Sequence, residues 1–136
     1  MKNIFITLSI CFCFSQAIGQ SKDNKTTTEK KNVISINELL HGKWQSMDDK
    51  TNFLMFDENE RKESSDGMKT WDNEAFVLSN KCLNESDKDN GLELEKDKYM
   101  SCMESDLCWY IVSLNKDFLT LSYIGRGNTL KYKRVK

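Results

Sequence analysis

Short runs of alternating apolar and polar residues fill the chain from Lys43 onward, and turn-forming residues separate them. Alternation with a period of two is typical of strands that bury one face. The runs predicted as strands are 43–47, 51–56, 61–65, 68–71, 75–82, 96–103, 107–114, 118–124 and 129–135. Asp66-Gly67, between the third and fourth runs, has the residue types of a tight hairpin turn. About eight short strands joined by hairpins predict an all-β barrel or sandwich.

The pattern differs before the first strand. Ile36, Leu39 and Leu40 recur at helical spacing, so residues 33–40 predict a short helical turn, with Asn37 as its N-cap. Residues 20–32 are polar and contain no aromatic side chain, which predicts a disordered linker. The globular domain is therefore expected to span residues 33–136.

The N-terminus has the pattern of a cleaved signal peptide. Lys2 precedes an apolar run over residues 4–14, and small residues at Ala17 and Gly19 occupy the positions that signal peptidase inspects. Residues 1–19 therefore predict export to the periplasm or secretion. A lipoprotein cut before Cys11 or Cys13 is the rival reading, disfavoured because both cysteines lie inside the apolar run and follow large residues.

Composition and charge narrow the classes of function. The chain has 38% hydrophobic residues and a net charge of −1, which argues against a nucleic-acid partner. No stretch of about 18 apolar residues is present, so we do not expect a membrane-spanning protein.

The residues that usually carry catalysis or hold metals are sparse. His41 is the single histidine, and the sequence has neither a C-x-x-C pair nor a G-x-S-x-G elbow. Residues 87–91 lack the spacing of a calcium loop and predict a solvated turn. We therefore expect a protein that is not an enzyme and that holds no metal or cofactor.

The last strand predicts how a barrel would close. Leu130, Tyr132 and Arg134 alternate with Lys131 and Lys133, so the lysines face water and Arg134 faces inward. An inward arginine needs a partner. If the sheet closes, the first and last strands become neighbours, and the guanidinium can stack on an indole while donating to backbone carbonyls.

Gly42-x-Trp44 at the first strand, together with Arg134 in the last, resembles the mark of the small bacterial lipocalin-like domains of the lipocalin superfamily. In that family a basic residue from the last strand packs across the tryptophan of a G-x-W triplet. The resemblance extends from about residue 36 to residue 136 and implies a small antiparallel up-and-down β-barrel of about eight strands. It also implies a calyx that binds a small hydrophobic ligand.

Aromatic residues are numerous enough to line such a pocket. The candidate pocket residues are Trp71, Phe76, Trp109, Tyr110 and Tyr132. The same side chains can instead fill the core of a narrow barrel, which is the somewhat stronger expectation. Two functions follow: a carrier of a small hydrophobic ligand, or a filled barrel whose surface or open end binds a protein or the cell envelope.

Three cysteines follow the predicted leader, so at most one internal disulfide can form. Cys102 and Cys108 are nearest in sequence, on either side of the turn 104–106. Residue parity favours a different pair. It places Cys82 and Cys108 on the predicted core face and Cys102 on the opposite face with Lys98, and a disulfide needs side chains that point at one another. We therefore predict Cys82–Cys108, with Cys102 as a free thiol.

Overall fold

The computed structural model describes residues 34–65, 70–90 and 95–136. The predicted signal peptide and linker lie outside these ranges. Eight strands form one closed antiparallel barrel in chain order, and β8 pairs with β1. The elements are α1 (Ile36–Leu40), β1 (Gly42–Ser46), β2 (Phe53–Asp57), β3 (Glu60–Ser64), β4 (Asp72–Ser79), β5 (Tyr99–Cys102), β6 (Leu107–Leu114), β7 (Phe118–Tyr123) and β8 (Thr129–Arg134). The predicted all-β barrel is confirmed.

Two local predictions are wrong. Glu63 of β3 lies opposite Asp72 of β4, and Trp71, which the sequence predicts to end a strand of its own, belongs to no strand. Asp66-Gly67 and residues 68 and 69 lie outside the described ranges. The N-cap of α1 is Ser35 and not Asn37, because Ser35 and Glu38 form a reciprocal capping box at 3.2 and 2.8 Å.

Arg134 closes the end of the barrel that α1 covers. Its guanidinium carbon lies 4.0 Å from the centre of the Trp44 ring, on the residue directly opposite in β1. Nε donates to the Lys116 carbonyl and Nη1 to the His41 carbonyl, both at 2.6 Å, and Nη2 donates to the Leu39 carbonyl. One side chain thus joins β8, β1, the β6–β7 turn and the helix, as the inward parity of the last strand predicted.

Gly42 is required by this closure. It has φ of +116°, and a Cβ at this position would lie 2.9 Å from Nη1 of Arg134. The backbone conformation and the close approach each favour glycine. Two residues later, the Trp44 indole donates to the Leu40 carbonyl at 2.7 Å, so the buried ring has a partner for its N–H.

Large side chains fill the barrel between this end and its middle. The fully buried ones that belong to the main core are Leu40, Trp44, Leu54, Phe56, Met100, Cys102, Ile111, Leu119 and Leu121. Close packing of this kind is expected in an eight-stranded barrel, whose interior is just wide enough for side chains. The stronger of the two expectations for the aromatic residues therefore holds in this part of the barrel.

The Cys82–Cys108 disulfide is present, with the two Cα atoms 5.8 Å apart, and Cys102 is a buried free thiol. The pairing is confirmed, but the facing used to predict it is wrong. Cys102 lies in the barrel core, whereas the disulfide packs with Tyr99 in a second cluster on the outer side of β5 and β6.

The connection between β4 and β5 covers that outer side. Leu83 N–H donates to the Ser101 hydroxyl at 2.9 Å, and the Asn84 amide donates to the Asp106 carbonyl at 2.9 Å. Asn84 and Asp87 are both buried, so the predicted solvated turn at 87–91 is wrong at its first residue. Because both faces of β5 are buried, side-chain alternation in this region does not separate inside from outside.

A double-mutant cycle tests the closure. We expect Trp44→Ala to lower the free energy of unfolding by about 3 to 5 kcal/mol, as for a large core truncation. Arg134→Ala should cost about 2 kcal/mol, and the two losses should be non-additive by at least about 0.5 kcal/mol, since they remove a shared contact. Urea unfolding measures each value. Arg126→Ala, on the distant β7–β8 turn, is the control that should add to Trp44→Ala; additive losses for Arg134→Ala would contradict the closure.

Removing the disulfide tests the second cluster. Cys82→Ala combined with Cys108→Ala should lower the free energy of unfolding by about 3 to 4 kcal/mol, the chain-entropy value for a loop of this length. Wild-type protein with the disulfide reduced should behave like the double variant in urea unfolding. Alkylation of native protein should leave Cys102 unlabelled because it is buried; labelling of Cys102 before unfolding would contradict its position in the core.

Candidate functional site

The opposite end of the barrel, where β4 begins and a hairpin joins β5 to β6, is called the mouth. A charged cluster lies inside it on β3 and β4. Arg61 is opposite Glu74, and its Nη1 lies 3.1 Å from a Glu74 oxygen. Nη2 of Arg61 lies 2.6 Å from Glu63. The Arg61 side chain is only 8% exposed, so Arg61, Glu63 and Glu74, the mouth cluster, form a largely buried ion-pair network.

Other polar groups donate further hydrogen bonds to the two carboxylates of the mouth cluster. The Asn52 amide donates to Glu63 at 3.1 Å, and the Ser105 N–H donates to Glu74 at 3.3 Å. The β1–β2 and β5–β6 connections therefore hold both glutamates in place, and Arg61 is fixed between them.

Two hydrogen-bond donors near the mouth cluster lack an acceptor among the described residues. Nε of Arg61 and Nε1 of Trp109 are buried and have no hydrogen-bond partner among the described residues. The guanidinium carbon of Arg61 lies 5.8 Å from the centre of the Trp109 ring, and each residue is 7% exposed. Buried donors nearly always have a partner, so these two donors indicate an acceptor atom that the described residues do not supply.

A cleft of about 410 Å³ opens from the mouth cluster to solvent. The side chains that border it include Arg61, Glu63, Trp71, Asp72, Glu74 and Glu104. Asp72 and Glu104 are exposed carboxylates at the rim, and Trp71 is half-buried. The cleft thus combines acceptors at its rim with one aromatic surface, and Arg61 of the mouth cluster borders it.

Two titratable groups in the core of the barrel stay neutral. Burial, followed by the charge of Glu74, raises the pKa of Cys102 from 9.0 to about 12. Burial, followed by the charge of Glu63, raises the pKa of Tyr132 from 10.0 to about 12. A thiol is nucleophilic only as its thiolate, so Cys102 contributes packing and a hydrogen bond at neutral pH.

The five predicted pocket residues do not form one pocket. Phe76, Trp109 and Tyr132 point into the barrel and belong to its packed core. Phe76 also borders a separate cleft of about 350 Å³ beside α1. The predicted common pocket is therefore wrong in its membership, because the space between these rings is filled by other side chains.

The remaining two predicted residues lie outside the packed core. The Tyr110 hydroxyl donates to Glu95 at 2.6 Å, and its ring lies 5.2 Å from that of Tyr99 in the disulfide cluster. Trp71 is at the rim of the mouth, where Lys43 Nζ lies 5.4 Å from its ring. Of the five, Trp71 borders the mouth cleft, and Trp109 supplies one of the unpartnered donors nearby.

Sequence reasoning missed the mouth cluster, although β3 carries a signal for it. The strand reads Glu-Arg-Lys-Glu-Ser and has no apolar side chain. In a closed barrel every strand turns alternate residues inward, so either Arg61 and Glu63 or their neighbours must face the interior. A strand without apolar residues in a predicted barrel therefore marks a polar interior site.

A scan of protein-family models, a search of curated proteins and a search of solved structures each find no match to this chain. Across the described residues, no helix has both the length and the apolar composition needed to span a membrane.

The buried neutral groups predict loss of stability in alkali. Between pH 9 and 12 the unfolded chain ionises at Cys102 while the folded chain keeps that proton, so unfolding becomes easier as pH rises. The slope should approach about 1.4 kcal/mol per pH unit for the thiol, and Tyr132 should add to it above pH 10. Urea unfolding at pH 8, 10 and 11 measures this dependence.

Matched variants assign the alkaline effect to its sources. Cys102→Ala should flatten the dependence from pH 9, and Tyr132→Phe should flatten it only above pH 10. An unchanged slope in both variants would show that these groups are not held neutral by the core.

Proposed function

We propose that this protein is an exported, non-catalytic, lipocalin-like binding domain that takes a small polar ligand in the mouth of its barrel. The observation that carries the proposal is the pair of open donors, Arg61 Nε and Trp109 Nε1, beside a cleft that reaches solvent. The proposed relationship to lipocalin-like domains rests on the eight-stranded barrel, on the Gly42-x-Trp44 triplet and on the stacking of Arg134 across Trp44.

Export is supported by two independent features. The apolar run at residues 4–14 precedes small residues suited to cleavage. The Cys82–Cys108 disulfide is of a kind that persists in oxidising compartments.

The mouth is a better ligand site than the barrel interior. A deep calyx for a hydrophobic ligand would need the space now occupied by fully buried side chains such as Trp44, Phe56 and Met100. Displacing them would forfeit the core that holds a small domain together. The mouth cleft already opens between β3, β4 and the β5–β6 hairpin, so a ligand enters it without displacing the core.

The chemistry of the mouth favours a neutral molecule rich in hydroxyl groups. Hydroxyl hydrogens can be donated to Asp72 and Glu104 at the rim. A hydroxyl oxygen at the base of the cleft can accept from Arg61 Nε or Trp109 Nε1 once the side chains that cover these two buried atoms shift. The C–H face of a sugar ring packs well on an indole such as Trp71. The single arginine is already paired with two glutamates, so an anionic ligand would meet excess negative charge.

Tryptophan fluorescence and calorimetry test this proposal with neutral mono- and disaccharides as probes. We expect saccharide binding that quenches tryptophan emission, and Asp72→Asn or Glu104→Gln should weaken it about fivefold to tenfold by removing one charge-assisted hydrogen bond. Asp89→Asn, at an exposed carboxylate of the β4–β5 connection, is the matched control and should leave affinity unchanged.

A fatty-acid titration on the same variants distinguishes the alternative ligand class. Binding of a fatty acid with the same affinity in wild type, Asp72→Asn and Glu104→Gln, without any saccharide binding, would favour a hydrophobic carrier and contradict the mouth site.

A further inference from the structure

One outer face of the barrel combines lysines with exposed apolar side chains. It is far in sequence from the β4–β5 connection, which is rich in acidic residues. This face is formed by the outer sides of β7, β8 and β1, which are consecutive in the closed barrel. None of these three strands contains an aspartate or glutamate. Lys131 and Lys133 project outward from β8 and are exposed, and Lys136 follows the strand.

Apolar side chains project among these lysines. Phe118 begins β7 directly opposite Lys133 and is 49% exposed, and Val135 is 39% exposed just beyond the end of β8. The backbone N–H of Arg134 donates to the Asp117 carbonyl at 2.8 Å, which holds the β6–β7 turn and its exposed Lys116 beside the same strand end. The basic face is defined by Lys116, Phe118, Lys131, Lys133, Val135 and Lys136.

Charge is strongly segregated along the chain. Residues 85–106 contain eight acidic and three basic residues, whereas residues 116–136 contain six basic residues and one acidic residue, Asp117. Because its net charge is −1, the chain as a whole is not attracted to an anionic surface. Electrostatic attraction arises only if the protein turns a basic side toward that surface. Segregation supplies that preferred orientation.

We infer that the basic face docks on an anionic lipid surface. Lysines near such a surface are each worth about a fivefold gain in affinity, and aromatic or aliphatic side chains beside them enter the headgroup boundary. A soluble polyanion would use the lysines but leave Phe118 and Val135 in water. The mixture of both kinds of side chain on one sheet face therefore favours lipid as the occupant. This inference is independent of ligand binding at the mouth.

Co-sedimentation of the full chain with vesicles tests the inference. Vesicles of phosphatidylcholine with about 30% phosphatidylglycerol should bind the protein, and vesicles of phosphatidylcholine alone should not. Lys131→Gln combined with Lys133→Gln should weaken binding about 25-fold, and Phe118→Ser should weaken it about tenfold. Comparison among variants prepared identically cancels any contribution of the residues before Ile34.

The matched control is Lys81→Gln combined with Lys96→Gln, which removes the same charge from exposed positions in the β4–β5 connection. It should leave vesicle binding unchanged, and all variants should keep the wild-type melting temperature because the altered side chains are exposed. Equal loss in both lysine pairs would show non-specific attraction and overturn the inference. Vesicle binding that needs the lysines but is unaffected by Phe118→Ser would show a purely electrostatic attraction, which a soluble polyanion could equally supply, and would also overturn the inference.

Discussion

The position of the Arg134 guanidinium between the Trp44 ring and three backbone carbonyls determines the rest of the structure. It lies where the first and last strands meet, and it also fixes the carbonyls of Leu39 and His41 at either side of the helix end. A guanidinium can do this because it offers a flat face to an indole and several donors in its plane. Gly42 provides the clearance that this approach requires.

Closure of eight strands sets the interior width, and with it where binding can occur. The interior is just wide enough for side chains, and bulky residues such as Phe56 and Leu121 occupy it. Polar and charged side chains are therefore found where the packed core ends. These places are the mouth, where β3 contributes no apolar residue, and the outer surface. The β4–β5 connection covers the outer side of β5 and β6, whereas Phe118, Lys131 and Lys133 on the outer sides of β7 and β8 are exposed among the described residues.

The sequence predicts the strands in which apolar and polar side chains alternate regularly because one face is exposed to solvent. The last strand is of this kind, so the inward position of Arg134 and the outward lysines could be read directly. Alternation does not separate the two faces of β5, because all four of its residues are buried. The Cys82–Cys108 pair is therefore predicted correctly even though the prediction assigns these cysteines to the wrong side of the barrel wall. The mouth cluster was missed for a related reason, since charged residues such as Arg61 are ordinarily read as exposed, and their burial depends on strands distant in sequence.

Stability alone does not account for the mouth cluster. Burying Arg61 between Glu63 and Glu74 carries a desolvation cost that their attraction roughly offsets, and well-packed apolar side chains of similar volume commonly serve stability as well or better. Because Arg61 Nε and Trp109 Nε1 have no partner among the described residues, their burial there carries a further cost of about 1 to 3 kcal/mol for each. The network does hold Arg61 in a fixed position beside an open cleft, and rigid placement of polar groups is what a recognition site requires. The polar interior therefore supports the proposed binding role, because stability alone does not explain it.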